Sequence, residues 1–189
     1  MKISIALIAI AAALAGCSRQ DAPPQAGSVP QASAPSAVQG VAAPAPVAPP
    51  VLSPEGYGAI RFGAKLADAE KALGSKAEPE GARDPACSMV RLGKAPGVRL
   101  MVENGVITRA DADAGTPNSL GVAVGDSLAQ VRAKAPAVEA GPHKYLPEGH
   151  YLTVKGKGGT AIVMEEDGTS VTTIRAGLQP AVAYVETCG

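Results

Sequence analysis

Tryptophan is absent from this chain of 189 residues, phenylalanine occurs once and tyrosine four times. So few rings leave little with which to stack unpaired bases or sugar faces. Neither sign of charge prevails: 17 Lys and Arg stand against 17 Asp and Glu. A phosphate backbone needs a concentrated basic stripe, and the lack of one excludes nucleic acid as a partner. Histidine is limited to His143 and His150. Their spacing, with Pro and Gly between, fits no structural zinc pattern. No Gly-x-Ser-x-Gly elbow surrounds Ser88, Ser119 or Ser127, and neither a Walker loop nor a dinucleotide fingerprint occurs. These absences predict a chain with no catalytic residue, no metal and no cofactor.

What is there begins at the N-terminus. Lys2 precedes an apolar run from Ile3 to Leu14 that ends in Ala15-Gly16-Cys17. The run is shorter than the roughly 18 residues of a spanning helix and reads as a secretory signal over residues 1–16. Leu14-Ala15-Gly16-Cys17 resembles the lipobox of bacterial lipoproteins. The resemblance implies cleavage before Cys17, a diacylglycerol on its thiol and an acyl chain on its new amine. Each buried methylene contributes about 0.8 kcal/mol, so several chains anchor the protein in a bilayer. Ser18 follows the cysteine where an Asp would imply inner-membrane retention. For a Gram-negative lipoprotein this implies the outer membrane, with the folded part facing the periplasm. The competing reading is a plain secretory signal that leaves Cys17 as an ordinary thiol.

Residues 17–54 are almost only Ala, Pro, Ser, Val, Gln and Gly, with nine prolines between Pro23 and Pro54. Proline denies helix and sheet their donors, and little bulky apolar material is present to collapse. The segment reads as a disordered, polyproline-like tether. Extended at about 3.1 Å per residue, it holds a folded unit well clear of a membrane. With Cys17 lipidated, Cys87 and Cys188 remain. In an oxidising periplasm an even pair reads as a structural disulfide; nothing resembles Cys-x-x-Cys, which argues against a redox-active pair.

Residues 55–189 are long enough for one ordinary domain. They contain an internal correspondence. Ile60-Arg61-Phe62-Gly63-Ala64-Lys65-Leu66 matches Val122-Ala123-Val124-Gly125-Asp126-Ser127-Leu128 at an offset of 62. Cys87–Leu92 falls on Gly149–Val154, and Arg99–Glu103 on Ala161–Glu165. Turn signals follow in both halves, Asn104-Gly105 and Asp167-Gly168, and each half closes on an Arg-Ala pair, Arg109-Ala110 and Arg175-Ala176. The expectation is an α+β domain of two tandem repeats, residues 56–115 and 118–178. Each consists of one helix and three strands, with the helices on one face of an antiparallel sheet. Alternation over 181–188 predicts a last, C-terminal strand.

The lead-ins Phe62-Gly63 and Val124-Gly125, with the helices behind them, resemble the tandem-repeat fold of the secreted β-lactamase inhibitor proteins. They are also similar to the small outer-membrane lipoproteins of the SmpA/OmlA type. The resemblance covers most of 58–177 and implies a fold that binds other proteins and does no chemistry. No contact residue carries over, because only the scaffold pattern matches.

The richest polar cluster is Gly141–Tyr151, which gathers both histidines, two tyrosines, a lysine and a glutamate. His143, Lys144, Tyr145, His150 and Tyr151 are the candidate binding residues. The bland alternative is an ordered loop with a tyrosine packed down. Asp111 and Asp113 alternate along an extended segment, suited to one face of a strand, and Glu165-Glu166-Asp167 leads into a turn. The leading functional expectation is a non-catalytic envelope lipoprotein that binds another macromolecule, a protein of unknown identity. The alternatives are a module for cell-wall glycan or a small ligand, and a hydrolase using His143 or His150 as base. Open sheet edges leave self-pairing, and so the oligomeric state, undecided.

Overall fold

Short helices precede runs of Val, Ile, Leu and Met in both halves of the chain, and the computed structural model shows how those runs pair. It describes residues 49–188. The expected signal, Cys17 and the tether up to residue 48 lie outside the described residues.

Three two-residue strands open the fold: β1 (Leu52–Ser53), β2 (Gly56–Tyr57) and β3 (Ile60–Arg61), paired in that order. They reach further back than the expected boundary at residue 55. Leu52 is fully buried, and its N–H donates to Pro117 O at 2.8 Å. Helix α1 (Leu66–Leu73) follows, then strands β4 (Ala77–Pro79), β5 (Cys87–Leu92), β6 (Val98–Glu103) and β7 (Val106–Ala112). Helix α2 (Leu128–Lys134) follows in turn, then β8 (Glu139–Pro142), β9 (His150–Lys155), β10 (Thr160–Glu166) and β11 (Val171–Leu178). The second group forms one antiparallel sheet in the order β4-β5-β6-β7-β11-β10-β9-β8.

The helix boundaries follow local chemistry. Gly74 takes the left-handed conformation (φ 58°) and stops α1. Ser127 caps α2 in a reciprocal box with Gln130. Gly63 and Gly125 sit at φ 86° and 96°, conformations that side chains disfavour. Their N–H groups donate to Ile107 O and Val171 O, both at 2.8 Å. Each glycine thus sets its helix against the start of β7 or β11.

Four strands follow each helix, where three were expected. The additional ones, β4 and β8, read Ala-Glu-Pro and Glu-Ala-Gly-Pro. They have almost no apolar alternation to reveal them. Both are edge strands, short and ended by proline, which removes a donor and discourages pairing with another sheet.

The sheet's two faces differ in character. On one, Leu92, Leu100, Ile107, Leu152, Ile162 and Met164 pack with Ala69 of α1 and Val131 of α2 in the main core. On the other, Met89 and Met101 pack with Ala181, and Ala161 and Val163 with Val182. The expected C-terminal strand over 181–188 does not form. Residues 181–183 make a 3-10 turn behind Pro180, and the chain lies across the sheet's face rather than along an edge. The reason is that the carbonyls of Ala181, Val182 and Tyr184 are taken by arginine side chains. A disulfide between Cys87 and Cys188 fastens the end of this segment to β5. Closing a loop with a separation of 101 residues contributes at most about 4.7 kcal/mol through the unfolded chain. Among the described residues, no helix is long and apolar enough to cross a membrane.

Candidate functional site

The 143–148 loop projects between β8 and β9, and a histidine organises it. His143 Nδ1 accepts the N–H of Tyr145 and of Leu146, each at 3.1 Å. Two donors aimed at Nδ1 assign the ring proton to Nε2, which faces Glu165 Oε2 at 3.8 Å. The His143 ring stacks on Tyr151, with centroids 4.6 Å apart and planes 19° from parallel. The Tyr151 hydroxyl accepts the Lys144 N–H at 3.4 Å. His143 and Tyr151, both half-buried, thus hold the loop's base while its tip faces water. Tyr145 is 60% exposed and Leu146 42%.

Glu186 of the C-terminal segment fastens the tip. It accepts the Tyr145 hydroxyl at 2.5 Å and the Lys144 ammonium at 3.1 Å. Lys144 also lies 4.8 Å from the centre of the Tyr145 ring. The Tyr145 hydroxyl, and then Lys144, hold the Glu186 carboxyl below its ordinary range. Tyr145 and Glu186 in turn push Lys144 upward.

His150 takes no part in this cluster. Neighbouring strand residues point to opposite faces, and His150 Nδ1 meets the buried Glu166 carboxylate at 2.8 Å. The two histidines therefore engage different carboxylates. Among the described residues no three His, Cys, Asp or Glu side chains gather as a metal would require.

Beside the loop's base the face of the sheet that carries the C-terminal segment holds a cavity of about 450 Å³. Four arginines and four carboxylates line it, and Val185 and Thr187 of the C-terminal segment form a wall. Arg91 forks onto Asp113 at 2.8 and 2.9 Å and reaches Glu80 at 2.5 Å. That fork holds Asp113 below the ordinary aspartate range and raises Arg91. Arg99 lies 3.3 Å from Asp111 and 3.7 Å from Glu80.

Arg109 and Arg175 are only 3% and 4% exposed. Arg109 pairs with Asp111 at 2.5 Å and donates to Tyr184 O at 2.9 Å and Ala181 O at 3.4 Å. Arg175 pairs with Glu165 and donates to Val182 O at 2.8 Å. Each carboxylate in the groove is thus engaged by a guanidinium, a poor state for a general base. The arrangement suits holding and orienting.

The loop is legible in the sequence as its richest polar cluster, whereas the convergence of the four arginines is not. The two Arg-Ala pairs were visible as a correspondence between halves, and the alternating Asp111 and Asp113 as a shared face. Nothing in the order of residues says that Arg91, at a separation of 22, forks onto Asp113. Compared with known proteins, the chain matches no family model, no curated protein and no solved structure.

Proposed function

We propose that this chain is a lipid-anchored envelope protein without catalytic activity, and that it binds another envelope protein through the 143–148 loop. The lipobox-like Leu14–Cys17 supports the anchor and, with Ser18, the outer membrane. The single observation that carries the binding reading is a rigid base under an exposed aromatic tip. His143 and Glu186 fix Tyr145 and Leu146 in place before any partner arrives. Tyrosine gives large contact area at low entropic cost, and preordering lowers what binding must offset. Tyr184, 41% exposed on the same C-terminal segment as Glu186, adds apolar surface. The proline-ended edge strands make docking through a face or a loop the better route than strand addition.

We read the two successions of helix and four strands as tandem copies that meet at β7 and β11. The offset of 62, the paired roles of Gly63 and Gly125, and the mirrored strand order support this.

The test uses the full chain expressed in a Gram-negative envelope. Labelled palmitate is expected on the wild type and not on Cys17→Ser. Cross-linking from solubilised envelope is expected to capture one protein, and Lys144→Ala/Tyr145→Ala to lose it. Capture by the double variant at the wild-type level removes the loop from the reading.

A further inference from the structure

We propose that the Cys87–Cys188 disulfide is a redox latch on the Tyr145 loop. Closed, it holds residues 185–188 along the arginine groove and Glu186 against Tyr145 and Lys144. Opened by a dithiol reductant, it releases both. The consequence for binding rests on the docking role proposed for that loop; the latch itself does not.

The C-terminal segment is held in two unlike ways. Up to Tyr184 it is built into the fold. Ala181 and Val182 are buried, and Arg109 and Arg175, themselves buried, take three of its carbonyls. Beyond Tyr184 this grip ends. Among the described residues no backbone–backbone hydrogen bond involves 185–188, and the Glu186 side chain makes the hydrogen bonds to other residues there. Its partners Lys144 and Tyr145 are exposed, and solvent-screened contacts of this kind hold weakly. The disulfide is therefore the strong attachment of the last residues. Glu186 stands two positions before Cys188, so the bond sets where its carboxylate can reach. Val185 and Thr187, the wall of the groove, lie on the same short span. Tyr184 is the natural hinge.

The chemistry is thiol–disulfide exchange. A thiolate of the dithiol attacks one sulfur of the Cys87–Cys188 bond, and the other leaves as a thiolate and takes a proton. The reductant's second thiol then closes its own disulfide and frees the remaining cysteine. Two electrons and two protons pass from the dithiol to the protein. Both cysteines are half-buried, packed on one side against Met89, Met101 and Ala181.

The test compares oxidised full-length protein with protein reduced by dithiothreitol and alkylated, both in detergent micelles. Carboxypeptidase is expected to trim past Glu186 only after reduction. Amide exchange at 143–146 is expected to rise roughly five-fold or more, while β10 and β11 stay protected over the same minutes. Equal trimming of both forms overturns the latch. So does exchange throughout the sheet within those minutes, because the bond then holds the whole fold. Glu186→Gln with the disulfide intact gives an independent reading. It should speed exchange at 143–146 and leave the trimming pattern of the oxidised protein in place. No change at 143–146 overturns the coupling through Glu186. A latch that passes these tests in a chain capturing nothing through Tyr145 would refute the docking role alone.

Discussion

Arg175 stands directly opposite Asp111 across the β7–β11 pairing, yet the two side chains serve different partners. Asp111 is taken by Arg109 and Arg99, whereas Arg175 turns to Glu165 and the Val182 carbonyl. The seam between the two four-strand groups thus carries two buried guanidiniums, each with its own carboxylate and each holding the C-terminal segment. Arginine suits this work because its planar fork can divide its donors between a carboxylate and a carbonyl.

Arg175→Met tests that division. It leaves Glu165 without its cation and the buried Val182 carbonyl without a donor. Breaking a fully buried pair from one side costs about 3–5 kcal/mol, and because the Glu165 side chain keeps some solvent contact the loss here should fall toward the lower end. Adding Glu165→Gln removes the orphaned charge and should recover a substantial part of that loss. Urea unfolding of the disulfide-intact chain measures both. A single variant within experimental error of wild type would show that the pair contributes nothing.

Gly177 lies opposite Arg109 in the same seam. A Cβ there would stand 2.3 Å from Thr108 O and 2.8 Å from Arg109 Cα, both backbone atoms. Strands cannot yield locally without losing their ladder. Gly177→Ala is expected to cost about 1–3 kcal/mol by overpacking and to weaken amide protection of β7 and β11 first. Unchanged protection of those two strands would refute the close approach.

These seam residues show where sequence reasoning stops. The helices, the long strands and the disulfide were legible, because apolar spacing, turn residues and an even cysteine pair each carry a local signal. The edge strands β4 and β8 were not, since three or four Ala, Glu, Gly and Pro residues pair only because β5 and β9 present a neighbour. Residues 181–187 alternate like a strand, but two distant arginines claim their carbonyls. In the loop, His143 and Tyr145 were found by composition alone. Glu186, which ties Tyr145 down, lies 41 residues away in sequence and carried no signal.

Acid should weaken the fold through a short set of carboxyls, Glu70, Glu186 and three aspartates among them. Arg91 holds Asp113 below its ordinary value of 3.8; Lys134 and the Ala123 N–H do the same for Asp126, and the N–H groups of Ser170 and Thr169 for Asp167. A carboxyl lowered by folding stabilises the native state at pH values above its unfolded pKa. That contribution disappears as pH falls through the folded pKa. The urea midpoint should therefore be nearly level from about pH 7 to 5 and fall below about pH 4. Asp126→Asn should be less stable at neutral pH and show a shallower acid decline. An acid limb as steep as that of the wild type would exclude Asp126 from it.

The two helices offer a paired test of capping, with opposite expected signs. Ser127 accepts the Gln130 N–H at 3.4 Å, while its own N–H donates to Gln130 Oε1 at 2.8 Å. Ser127→Ala removes the hydroxyl half of the box and should cost about 1 kcal/mol. Lys65 occupies the matching position before α1 and makes no side-chain capping bond. Its backbone is already extended, with φ −69° and ψ 141°, the conformation that a capping residue needs. Lys65→Asp would supply the missing acceptor and place a negative charge at the positive end of the helix. It should therefore stabilise by about 0.5–1 kcal/mol, which raises Tm by about 2–4 °C in a unit of this size. Calorimetry on both variants reads the two effects. A loss at Lys65→Asp would mean that the lysine stem packs on the neighbouring β7 bridge at Val106 and that this packing outweighs a cap.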